Sequence, residues 1–133
     1  MSKLDNAIGK LKFDANGLIP AICVDHENKQ ILQVAYMNAE SFGKTLETGK
    51  ATFFSRSRQK LWVKGEQSGH TQTIKTIYLD CDGDALVVEV SQIGGACHMG
   101  YRSCFFRELA DDGQWEVIAE KVFDPDEVYK SKG

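Results

Sequence analysis

Two runs that alternate polar with apolar residues, 72–79 and 85–90, flank the pentapeptide Asp80-Cys81-Asp82-Gly83-Asp84. Alternation marks a strand with one buried face, and Asp-Gly between two such runs is a favoured hairpin turn. The middle of the chain is thereby committed to an antiparallel hairpin with a charged tip. In an extended segment Asp80, Asp82 and Asp84 project to one side and Cys81 to the other. Downstream, Gly94-Gly95-Ala96-Cys97-His98-Met99-Gly100-Tyr101-Arg102-Ser103-Cys104 adds two thiols. Three of the four cysteines and three aspartates thus fall within the 25 residues from 80 to 104.

The remaining pattern is also strand-rich. Residues 18–24 and 30–36 read as a second hairpin, with His26 in its solvated turn and Cys23 as a buried, inert thiol. Asn38 and Gly49 read as the N-cap and the terminating glycine of a helix whose buried face carries Phe42 and Leu46. Residues 51–55 form a strand that delivers Ser55-Arg56-Ser57-Arg58 to an edge, and 104–109 with 115–122 form a further pair around Asp111-Asp112-Gly113-Gln114. A short helix fits before the turn at 14–17, and Asp124-Pro125-Asp126-Glu127 has the cap, proline and acidic first turn of another. The expectation is an α+β fold, with a largely antiparallel sheet and a few short helices. At 133 residues it is a single domain, 1–133.

Bulk charge narrows the function classes. Sixteen basic residues against 19 acidic ones give a net charge of -3, which supplies no general attraction to nucleic acid or an anionic membrane. The N-terminal residues contain no apolar signal region, and no apolar run approaches the roughly 20 residues that span a bilayer. A cytoplasmic location is expected, and in a reducing compartment clustered cysteines are metal ligands more often than disulfides.

Cys81, Cys97 and Cys104 are separated by 16 and 7 residues. A catalytic zinc takes three protein ligands and leaves one position for water or substrate, whereas a structural zinc takes four. Three thiolates point to the open arrangement; His98 is the candidate that would close it as a Cys3His structural site. The aspartates suit a hard cation such as Mg2+, with a solvated acidic turn as the alternative. Arginines alternating with serines at 55–58 suit a phosphate through bidentate guanidinium contacts, or are an ordinary charged strand end. Trp62 is a core residue or a stacking platform. His70 is the candidate general acid or base, because imidazole titrates near neutrality. The His-x-Glu and Pro-Cys-x-x-Cys pattern of zinc deaminases is missing.

The motifs Ser55-Arg56-Ser57-Arg58-x-x-Leu61-Trp62-x-Lys64-Gly65-Glu66-x-Ser68-Gly69-His70, Asp80-Cys81-Asp82-Gly83-Asp84 and Ala96-Cys97-His98-x-Gly100-x-Arg102-Ser103-Cys104-Phe105 together resemble phosphoribosyl-AMP cyclohydrolase of histidine biosynthesis. The resemblance runs from about residue 18 to residue 109. It implies hydrolysis of the N1–C6 bond of the adenine ring in 1-(5-phosphoribosyl)-AMP, a nucleotide substrate. It further implies zinc on Cys81, Cys97 and Cys104, and Mg2+ on Asp80, Asp82 and Asp84. An intertwined homodimer is implied as well, with one zinc per subunit shared across the interface. The substrate carries two phosphates. We expect one at Arg56, Ser57 and Arg58 and the other near Arg102-Ser103 or Lys64, with His70 moving the proton.

Overall fold

In the computed structural model of the chain the described residues run from 3 to 130, leaving out the side chains of Tyr129 and Lys130. The ends of the expected domain, residues 1–2 and 131–133, lie outside them. Four strands form the main sheet: β1 (Ile19–Asp25), β2 (Ile31–Met37), β5 (Gln72–Leu79) and β6 (Leu86–Gln92), in the order β2-β1-β6-β5. The β1–β2 and β5–β6 pairs are antiparallel hairpins, as their turn residues require, while β1 and β6 run parallel at the centre. The helix α2 (Ala39–Thr48) and the hairpin of β3 (Thr52–Ser55) with β4 (Lys60–Val63) meet the sheet at β2, and the short α1 (Lys3–Ile8) packs against α2.

Local chemistry explains the boundaries. Asn38 caps α2 reciprocally: its Oδ1 accepts from Ser41 N at 2.8 Å, and Ser41 Oγ accepts from Asn38 N at 2.9 Å. Gly49 ends the helix in a left-handed conformation at φ 75°, where a Cβ would be strained. Phe42 is buried and Leu46 packs partly against the same core, which comprises Ile19, Leu32, Met37, Phe53, Leu86, Val88 and Val90 among others. In β5 the register slips between Ile74 and Thr76, so Ile74 and Ile77, three apart, both face the core. A β-bulge thereby accommodates a period that strict alternation forbids.

The third expected pair is shorter than the sequence implied. β7 (Arg107–Leu109) and β8 (Trp115–Val117) form a separate two-stranded sheet, in place of 104–109 and 115–122. The missing residues bond elsewhere: Cys104 N donates to Leu32 O at 2.7 Å, and Val122 N to Gly100 O at 2.8 Å. An additional hairpin joins β3 to β4 through the four-residue turn 56–59, so the Arg-Ser cluster sits in a turn between two strands. α3 (Pro125–Lys130) follows Asp124, whose Oδ1 accepts from Asp126 N at 2.9 Å.

Candidate metal and substrate site

The loop after β6 carries two of the three candidate zinc ligands and is pinned to the β1–β2 hairpin at three places. Arg102 pairs through its guanidinium with Asp25 and also donates to Gln30 Oε1 at 2.5 Å. Ser103 Oγ donates to Ile31 O at 2.6 Å, and Cys104 N bonds Leu32 O. Burial raises the Asp25 carboxyl, but Arg102 and the backbone N–H groups of Asn28 and Glu27 outweigh it and hold the group below its ordinary value. Cys97 N donates to Tyr101 O at 3.1 Å, closing a tight turn inside the loop.

These restraints bring the Cys97 and Cys104 thiols close enough to influence one another. Cys97 is buried and Cys104 is exposed as a residue. Burial around its sulfur, then the Cys97 thiol, push Cys104 up to about 12, and Lys64 opposes that rise. Without a metal this thiol therefore keeps its proton at neutral pH, and a metal must displace it to bind. Cys23 is fully buried and likewise pushed up to about 12 by burial, as expected of an inert core thiol.

Cys81 is placed differently. It is exposed in the β5–β6 turn, five residues before β6 begins, whereas Cys97 lies five residues after β6 ends. A seven-residue strand separates them, about 20 Å at the usual rise per residue. Among the described residues, no group of three convergent metal-binding side chains contains a cysteine. The Cys97 and Cys104 thiols would fit two of the three positions of a catalytic zinc, and Cys81, the third candidate, is not gathered with them within one copy of the chain.

The aspartates do converge. Ligand oxygens of Asp80, Asp82 and Asp84 all lie within 4.8 Å of one another on the exposed turn. Asp80 Oδ1 accepts from Asp84 N at 2.9 Å and Ala85 N at 3.2 Å, which tightens the turn; desolvation raises the Asp80 carboxyl, but the Asp84 and Asp82 side chains, then these backbone groups, hold it below its ordinary value. Asp84 is pushed up to about 6 by Asp82 and Asp80, the mark of crowded carboxylates. Gly83, at φ 78°, backs onto residues 10–12; a Cβ there would meet Lys10 O at 2.8 Å. The all-oxygen donor set and its crowding fit Mg2+.

Beside the thiol pair lies a cavity of about 310 Å³ lined by Gln33, Arg58, Trp62, Lys64, His98 and Cys104, among others. Trp62 packs on Phe53 with ring centres 5.1 Å apart and still borders the cavity. Arg56 instead stacks its guanidinium 4.0 Å over the Tyr36 ring. Ser57 Oγ lies 3.4 Å from Ser55 Oγ, which also accepts from Arg58 N at 3.2 Å. Lys64 is partly buried, with its Nζ bonded to Ala96 O; burial holds its ammonium below the ordinary range, against the pull of the Cys104, Cys23 and Cys97 sulfurs.

His70 opens on another cavity, of about 280 Å³, with Gln92, Gly94, Arg102, Val122 and Phe123. Its Nδ1 is 3.2 Å from Gly95 O and its ring meets Phe123 edge-on at 4.5 Å. Gly94, at φ 64°, packs so closely that a Cβ would stand 2.6 Å from the imidazole. Two residues escaped the sequence analysis. Asp25 gave no signal, because its partner is 77 positions away. Gln33 did give one, a polar residue interrupting an apolar strand; its Oε1 accepts from buried Gln72 at 3.2 Å.

Comparison with known proteins agrees with the motifs. Residues 33–106 match the family of phosphoribosyl-AMP cyclohydrolases. A protein of Salinibacter ruber named phosphoribosyl-AMP cyclohydrolase is 56% identical over 126 residues, covering 95% of this chain and 98% of its own. One of the same name from Methanosarcina mazei is 59% identical over 121 residues, covering 91% and 97%, and one from Chlorobium phaeovibrioides 54% over 122, covering 92% and 89%. With its three motifs in order and this likeness over nearly its whole length, the chain belongs to the phosphoribosyl-AMP cyclohydrolase family.

Proposed function

We propose that the chain opens the adenine ring of 1-(5-phosphoribosyl)-AMP by hydrolysis of the N1–C6 bond, yielding the phosphoribosyl-formimino-carboxamide ribotide of histidine biosynthesis. Family membership supports the reaction, and the observation that carries its site is the Cys97–Cys104 thiol pair, of which Cys104 lines a cavity with Arg58 and Trp62. Zinc, when bound, supplies a Lewis acid that makes water acidic enough to ionise near neutrality. Cys97 and Cys104 hold it from one copy of the chain, and Cys81 of a second copy completes the set. Asp80, Asp82 and Asp84 hold Mg2+.

The remaining work falls to side chains around the cavity. Trp62 stacks on the purine, and one phosphate is held at the 56–58 turn, where Arg58 borders the cavity. Arg102 and Ser103 already have protein partners and act as tethers of the cysteine loop. Oxygen from water is added at C6, the C6–N1 bond breaks, N1 takes a proton, and the exocyclic nitrogen stays on the product as part of its carboxamide. No ammonia leaves. We assign the proton transfer to His70; a second reading gives it to His98, because His98 shares the cavity with Cys104 and His70 does not.

A two-copy assembly also accounts for exposed apolar surface. Phe105, Leu109, Trp115, Val117 and Ile118 are each more than half exposed, and they belong to one hairpin and its approaches. Such a patch marks an interaction surface, and a homodimer burying it is the arrangement we propose.

The test is turnover of phosphoribosyl-AMP followed by the ultraviolet change on ring opening, before and after zinc is stripped and restored. Zinc-dependent opening without ammonia is expected. Ammonia release, or full activity without zinc, contradicts the proposal. Paired variants decide the histidine: a large loss of kcat in His70→Asn with His98→Asn nearly intact supports His70, and the reverse transfers the role to His98.

A further inference from the structure

Lys64 stands apart from the other cations. It follows β4, its backbone N donates to Ala51 O at 2.9 Å, and its Nζ donates to the carbonyl of Ala96, the residue before Cys97. No carboxylate pairs with it among the described residues; the four ion pairs involve His26, Lys29, Lys44 and Arg102. The ionisable groups around it are instead the thiols of Cys104, Cys23 and Cys97, and the ring of Trp62 lies 5.7 Å from Nζ. Partly buried cations are ordinarily compensated by an anion. Here the groups in position to provide one are thiols.

We infer that Lys64 is the counter-cation of the Cys97–Cys104 thiolate pair, a positioning residue for the metal centre and not a phosphate anchor. The inference rests on the proposed zinc reading and deepens it. Three thiolates around a divalent ion leave one net negative charge, and one ammonium balances it. Cys23 is deep in the core and stays a neutral thiol, so it does not compete for Lys64. Through the Ala96 carbonyl, Lys64 also fixes the backbone that enters Cys97. A charged, hydrogen-bonded neighbour of this kind tunes ligand orientation and metal affinity. The commitment of Nζ to Ala96 O leaves it poorly placed to hold a substrate phosphate, which the sequence motif alone had allowed.

Three variants of the full chain separate charge from hydrogen bond: Lys64→Met removes both, Lys64→Gln keeps a donor for Ala96 O without charge, and Lys64→Arg keeps charge. The measurement is zinc affinity by competition with a chromophoric chelator, with kcat and KM at saturating zinc beside it. Lys64→Met and Lys64→Gln should each weaken zinc binding by about 10- to 100-fold. Lys64→Arg should restore most of it, with KM for phosphoribosyl-AMP nearly unchanged throughout. Wild-type zinc affinity in Lys64→Gln overturns the inference, as does a raised KM with zinc affinity intact. A Cys97→Ala control identifies which layer failed. If it retains zinc like wild type, the zinc reading falls and takes the inference with it; if it loses zinc while Lys64→Gln does not, only the inference falls.

Discussion

Individual residues divide into those whose role follows from type and spacing and those whose role depends on a distant partner. The aspartate trio belongs to the first group in its placement: the Asp-Gly turn between β5 and β6, closed by Asp80 Oδ1, gathers the three carboxylates, whereas the extended backbone expected there is absent. Its electrostatics make a prediction. Asp84 holds a proton to about pH 6 because Asp80 and Asp82 crowd it, so a divalent cation must displace that proton at lower pH. Mg2+ affinity measured by calorimetry should rise from pH 5 to pH 7.5 and then level; a flat profile would show that Asp84 is not a ligand. The Arg-Ser turn gives a second. Replacing Arg56 and Arg58 together by Ala should raise KM about tenfold or more while lowering kcat less, the pattern of lost uniform binding, and an unchanged KM moves the phosphate elsewhere. Asp25 and Arg102 belong to the second group: neither residue announces the other in sequence.

At the level of elements, what was legible was local. The α2 helix is encoded by its own cap, its own terminating glycine and the Phe42–Leu46 face, and the β1–β2 and β5–β6 hairpins by their turns. Long-range bonding decided the rest. Residues 104–106 and 118–122 have strand-like composition, yet their backbone groups are taken by β2, by Phe106 and by Gly100, so β7 and β8 are truncated. The cysteine loop is similarly held from outside, by Asp25. Removing that tether with Asp25→Asn weakens a charge-assisted hydrogen bond and should lower stability by about 2 kcal/mol in chemical denaturation. The sign with pH follows: the folded-state pKa of Asp25 is depressed below 3.8, so its contribution is present above that value and lost as pH falls through the folded pKa. Wild-type and variant stabilities should therefore converge in acid, and a difference that persists there would assign the loss to packing.

For the whole molecule, the sequence conveyed a strand-rich α+β domain but not its central parallel pairing. Strands β1 and β6 are joined by no turn, and their alignment arises from packing Ala21, Cys23, Leu86, Val88 and Val90 into one core. The same topology puts Cys81 and Cys97 beyond opposite ends of β6, although sequence spacing presents them as one cluster. A single chain consequently gathers only two of the three candidate thiols, and in the homodimer proposed above the exposed apolar hairpin at β7–β8 would be the surface for the copy that brings the third. Among the described residues, no helix is long and apolar enough to cross a membrane, in keeping with the modest hydrophobic content.

The most direct measurement is complementation between two inactive variants, Cys81→Ala and Cys97→Ala, each purified, then mixed under conditions that exchange subunits. A mixed pair combines Cys81 of one copy with Cys97 and Cys104 of the other in one intact centre. Random reassortment of equal amounts should then restore about a quarter of wild-type ring-opening activity, as expected for a two-fold dimer with two equivalent sites. Zinc should return in step. If subunits exchange and neither activity nor zinc reappears, the centre is not shared between copies, and the account of how this chain assembles its catalytic site is wrong.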